Sequence, residues 1–286
     1  MFKKILIPIS SEYYNRQVLK RAVFLADKFK SSISLVYIIE KKTIDQTGDL
    51  SDTHLTEFEI NQTKKQMMKD QVKKADTIIF DDAKAYFKEK NIKLDEKKIV
   101  NGEFSDRVKF ELEKKSYDLI LMGFEKECLL KYRILDDVDI PIWIEEKSES
   151  NKILAICSNL AQNKKVPKIS VKLSDALGWD LHMMYIVDTE DHVEIDEKGK
   201  RTKIKPERDL LFKSQNFVTD MQKKGVNIQS IKGVLEKEIA KAAEKINPGL
   251  VILGREQKKK GILGLPKQNV KRKIAEKCGH SILFVN

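Results

Sequence analysis

The chain has 286 residues, 41% of them hydrophobic and 35% charged, which is length enough for two domains and apolar content enough for a core in each. No apolar run approaches the length of a membrane span, and three cysteines without paired or metal-like spacing fit a reducing cytoplasm better than a disulfide scaffold. The net charge of +11 is uneven: 28 basic and 27 acidic residues run through Lys147, against 27 and 17 beyond it.

Chain order predicts a β-α-β series. Lys4 to Ile9 is apolar and reads as a first strand, too short and too soon interrupted by Ser10, Ser11 and Glu12 to be a signal peptide. A helix is expected from about Glu12 to Phe29, with Val18, Ala22, Leu25, Ala26 and Phe29 on one face. Ile33 to Ile39 reads as a central strand, and residues 41–53 as a loop. From His54 to Lys90 the pattern is helical for an unusually long run, as one helix or a broken pair. A charged, edge-like strand (Ile92 to Val100), a helix (Glu103 to Lys115), a buried strand (Asp118 to Met122) and a closing strand (Ile140 to Ile144) follow. A polar linker, Glu145 to Asn151, then separates residues 1–147 from 151–286.

The second part repeats the first. Lys152-Ile-Leu-Ala-Ile-Cys-Ser158 aligns with Lys4-Ile-Leu-Ile-Pro-Ile-Ser10, and Tyr185 matches Tyr37 at the same offset. Gly233 and Gly254 match Gly102 and Gly123 at a second constant offset. Two blocks at fixed offsets point to a tandem duplication, each half an open parallel sheet covered by helices. The expected fold is therefore α/β: two doubly wound, five-stranded parallel sheets of strand order 3-2-1-4-5, related like a fused dimer.

The second part ends in a strand (Leu250 to Leu253), a basic glycine-punctuated loop (Arg255 to Lys267), a helix from about Lys267 to Lys277 and a last strand (Ile282 to Val285). A strand, a glycine loop and a helix N-terminus together cradle phosphates, because free backbone N–H groups and the helix dipole converge there. The histidines (His54, His182, His192, His280) have no sequence neighbours that would make them catalytic, and the acidic run Asp188, Glu190, Asp191, Glu194, Asp196, Glu197 lacks calcium-loop spacing and reads as a solvated excursion.

KILIPIS, KILAICS and VILGREQ…GILG…QNVKRKIAEKCGHSILFV resemble the opening strand and closing signature of the universal stress protein family. The resemblance implies a non-catalytic stress-response role and an adenine nucleotide, ATP, as ligand. Carried onto this sequence, the binding positions are Ser158, Ile186, Gly254, Arg255, Gln257, Gly261, Gln268, Asn269 and Val270. The motif departs from the family pattern. Serines (Ser10, Ser158) stand where nucleotide-binding members carry an aspartate, and Gln257, Gln268 and Asn269 replace two glycines and a hydroxyl. The first part has lost most of the loop and places Asp136, Asp137 and Asp139 nearby, so it is expected to bind no nucleotide. Two other readings stay open: a nucleotide hydrolase using the same pocket, for which no base is apparent, and an anion-dependent binder acting through Lys258–Lys260 and Lys271–Lys273. Few aromatics interleave with those lysines, which disfavours nucleic acid and leaves a protein partner or self-association.

Overall fold

A computed structural model describes residues 1–10, 15–40, 57–74, 81–123, 134–135, 138–146, 148–161, 163–196, 202–255, 274–275 and 278–285. The chain divides into two compact units, Met1–Ile134 and Leu135–Asn286.

The first unit holds β1 (Lys4–Ile9), α1 (Arg16–Phe29), β2 (Ser32–Ile39), α2 (Glu57–Lys74), α3 (Asp81–Glu89), β3 (Leu94–Asn101), α4 (Phe104–Lys114) and β4 (Leu119–Gly123). Its strands pair in parallel in the order β3-β2-β1-β4. Near-continuous apolar runs make β1, β2 and β4 buried on both faces, as a parallel sheet between helices requires, whereas charged β3 is only half buried. Helix α1 starts later than its apolar stripe suggested. Asn15 is extended, and its side chain accepts the Gln17 N–H at 2.9 Å, so the helix opens at Arg16. The long helical run resolves into α2 and α3, with 75–80 outside the described residues.

The second unit holds β5 (Ile142–Glu145), β6 (Lys152–Ser158), α5 (Val166–Leu177), β7 (Asp180–Asp188), α6 (Glu207–Lys223), β8 (Ile228–Gly233), α7 (Leu235–Ile246), β9 (Leu250–Gly254) and β10 (Ile282–Val285). Strands β8-β7-β6-β9-β10 are parallel, the 3-2-1-4-5 order expected from the sequence. Leu119, Ile120 and Leu121, like Val251 and Ile252, are fully buried, and Leu253 nearly so, as their strand assignment requires.

Strand β5 follows β4 in the sheet order, as its sequence reading as the closing strand of the first part expects. It falls in the second unit and pairs antiparallel with β10, Trp143 opposite Leu283. A polar knot secures it: Trp143 Nε1 donates to Glu145 Oε2 at 2.8 Å, and Ser281 Oγ donates to the same carboxylate at 3.1 Å. The Glu146 N–H donates back to Ser281 Oγ at 3.0 Å.

Candidate functional site

Open α/β sheets take ligands beyond the carboxyl ends of their strands, where the connections diverge. In the second unit those ends are Ser158 on β6, Asp188 on β7 and Gly254 on β9. Ser158 is the register partner of Ile186, and Leu253 lies opposite Ile156 on the other side of β6. The fold thus gathers Ser158, Ile186 and Gly254, far apart in sequence, at the ends of three adjacent strands.

Polar side chains at this edge are spent on the protein itself. Ser158 is buried; its Oγ accepts the Leu160 N–H at 3.2 Å, and its own N–H donates to Asn163 Oδ1 at 3.0 Å. Asn159 spans from β6 to the segment after β7. Its Nδ2 donates to the carbonyls of Asp191 (3.0 Å) and Val193 (2.8 Å), and its Oδ1 accepts the Asp188 N–H at 2.8 Å. Asp188 is also buried and accepts three backbone N–H groups, from Glu190 (2.9 Å), Asp191 (2.7 Å) and Leu235 (2.8 Å). The last bond caps α7, whose own N-cap residue, Val234, offers no side-chain acceptor. Asp188 is therefore no part of a solvated excursion, and the expectation that the whole acidic run is solvent-facing is corrected here.

The same segment is clamped further on. Lys213 donates to Glu194 Oε2 at 2.8 Å, and Lys205 donates to the same oxygen. Burial alone would raise the Glu194 pKa, but the two ammonium groups outweigh it and hold the carboxyl below its usual value.

Arg255, expected to face an anion, does otherwise. It is 2% exposed, with Nη1 donating to the Leu135 carbonyl at 3.1 Å and Nη2 to the Ile140 carbonyl at 2.7 Å. Its backbone N–H donates to Val285 at 2.8 Å, which extends the β9–β10 ladder by one residue. An always-charged fork matched to two carbonyls is an anchor, so neither the Arg255 side chain nor its N–H is presented to a phosphate.

In the first unit the equivalent strand end, Gly123, packs against the start of α1: a Cβ built on it would lie 2.6 Å from Asn15 Cβ and 2.8 Å from Val18 Cγ2.

Residues 1–140 match the sequence pattern of the universal stress protein family. That stretch of the chain belongs to the universal stress protein family. No curated protein matches it. Among solved structures it is similar to a universal stress protein from Archaeoglobus fulgidus, with 13% identity, TM-score 0.61, and coverage of 98% of this chain and 95% of that one. A functionally unknown protein from Pseudomonas aeruginosa matches with 12% identity, TM-score 0.66, and coverage of 99% and 92%. At such identities the likeness establishes the α/β fold.

Within this family setting, Ser158, Ile186, Gly254 and Arg255 are placed by the structure, while Gln257, Gly261, Gln268, Asn269 and Val270 lie outside the described residues, as does nearly all of the expected helix from Lys267. Among the described residues no group of histidines, cysteines and carboxylates could hold a metal ion. Burial pushes the Cys157 thiol far up, and raises Cys278 to about 11, so both are inert at neutral pH. No described helix is long and apolar enough to cross a membrane.

Sequence reasoning missed Asn159 and the role of Asp188. Asp188 is the last residue of β7 and Asn159 the first after β6, and a polar residue at the end of an apolar strand was the available signal.

Proposed function

We propose that this universal stress protein works by binding, not turnover, and that its second unit is the one that takes an adenine nucleotide. The observation that carries the non-catalytic part is the engagement of Asp188. The carboxylate at the end of β7 already accepts three N–H groups, so it is spent as a structural acceptor and is not poised as a base or a magnesium ligand. The contrast between units supports the nucleotide part: Gly123 is packed against Asn15 and Val18, whereas Gly254 leads, after the anchored Arg255, into the basic, glycine-containing run 256–273. Phosphates on that run and adenine near Ser158 and Ile186 would follow the geometry of open α/β sheets. The near-repeat of strand order in the two units supports a tandem duplication in which one copy kept the loop. The output then passes to a protein partner or a second copy.

Calorimetry of the whole chain with ATP, beside a phosphate-release assay, tests both parts. The expected result is heat at millimolar ATP, its loss in Gly254→Val, and no phosphate release. No heat from the wild type defeats the nucleotide assignment, and steady phosphate release defeats the non-catalytic one.

A further inference from the structure

The sheet edge that carries Ser158 and Ile186 is covered. A strap made of residues 189–196 and 202–205 leaves the end of β7, crosses to the end of β6 and returns toward α6. Asn159 fixes the crossing. Its Oδ1 holds the Asp188 N–H at the end of β7, its Nδ2 holds the Asp191 and Val193 carbonyls, and its own carbonyl accepts the Ile195 N–H at 2.9 Å. The two arms are laced together: the Thr202 N–H donates to the Glu194 carbonyl and the Lys205 N–H to the His192 carbonyl, each at 2.8 Å. With the strap seated, Ser158, Asn159, Ile186 and Asp188 are each 2% exposed or less. A base has no route to Ser158 or Ile186 in this arrangement, so a covering segment has to move.

Burial separates the segment that can move from those that cannot. Strands β6 and β7 are buried along most of their length, and the turn Asn159, Leu160, Ala161 is buried at every residue. Of the twelve described strap residues, 189–196 and 202–205, Val193 alone is buried. Segments with little buried apolar surface open locally at a far lower cost than the core around them. What ties the strap down is polar: the Asn159 bonds, the Glu190 and Asp191 N–H groups on Asp188, and Lys213 of α6 on Glu194 Oε2 at 2.8 Å.

We propose that the strap is a lid closed over the base subsite of the second unit, latched to α6 by the Glu194–Lys213 ion pair, and that a nucleotide enters only when the latch releases and the strap lifts. On the nucleotide reading given above, closed lid and ligand compete, and the open fraction scales the apparent affinity. Loosening the latch therefore tightens binding, the reverse of what damage to a binding site does. Bound nucleotide in turn holds the strap open, because a ligand that binds one state raises its population.

Amide exchange of the full chain by NMR, with and without ATP, beside calorimetry, tests the lid. Without ligand, Asp191 and Ile195 should exchange faster than Ile156 and Ile186 by about tenfold or more, as local opening requires. Glu194→Gln should speed Ile195 exchange about tenfold, the fold-change for one hydrogen bond to a charged group, and tighten ATP binding to match. Saturating ATP should speed Ile195 exchange, not slow it. Lys213→Gln leaves the strap itself untouched, should act in the same direction, and serves if the Glu194 variant folds poorly. Strap amides that exchange no faster than those of β6 and β7 overturn the proposal, as does a latch variant that binds ATP no more tightly than a binding wild type. No heat from wild type or variants, with the strap still opening in the absence of ligand, defeats the nucleotide reading and leaves the lid in place.

Discussion

Replacing Asp188 by alanine should destabilise the second unit by about 3 kcal/mol. The Leu235 N–H at the start of α7 is buried with its residue and loses its only capping acceptor, a change of about 1–2 kcal/mol. The Glu190 and Asp191 N–H groups lie in an exposed and a half-buried residue that water can reach, so each loses about 0.5–1 kcal/mol. For a unit of this size the sum corresponds to a fall in Tm of roughly 6–12 °C. Asp188→Asn separates the contributions. It can keep an oxygen toward Glu190 and Asp191 but turns an NH2 toward the Leu235 N–H, so it should cost about 1–2 kcal/mol and speed amide exchange in the first turn of α7. Urea unfolding of the three proteins provides the measurement. A loss below about 1 kcal/mol for alanine, or equal losses for alanine and asparagine, would refute the assignment of Asp188 as the cap of α7.

Arg255→Met should cost about 2–3 kcal/mol, because it leaves the Leu135 and Ile140 carbonyls without their charged donor; hydrogen exchange should rise around 135–140. Gly123→Ala should destabilise the first unit by about 1–3 kcal/mol, since a methyl there meets Asn15 and Val18 below 3.0 Å, and thermal unfolding reads this directly. Glu194 has a depressed folded-state pKa, so its contribution is present above the unfolded carboxylate value and fades as pH falls through the folded one. The stability gap between wild type and Glu194→Gln should therefore be open at pH 7 and close below about pH 4; a gap that persists into acid rules out the ion cluster as its source.

The strands were legible because buried parallel strands are written as unbroken apolar runs: ILIPI, SLVYII, LILM, ILAIC and LVIL need no partner information to be recognised. Strand β5 was legible as a strand but not as a neighbour of β10, because IWIE carries no mark of which edge it joins. Arg255 shows the limit for the candidate site. In a lysine-rich stretch it reads as one more exposed cation, and only the fold reveals two carbonyls waiting for it. Asp188 was hidden in the same way, one carboxylate among six in a short run, set apart only by its position at the very end of β7. Ser158, Ile186 and Gly254 could be grouped in advance because the strand order fixes which ends are neighbours.

The placement of β5 decides how this protein can be taken apart. The polar stretch 145–151 looks like the natural cutting point, yet a piece beginning at Asn151 would leave β10 as a bare edge of four apolar residues, Ile282 to Val285. Its unsatisfied N–H and C=O groups would form a template for pairing with any other extended chain. Such a fragment should aggregate, because it has lost the strand that covers β10 in the intact chain.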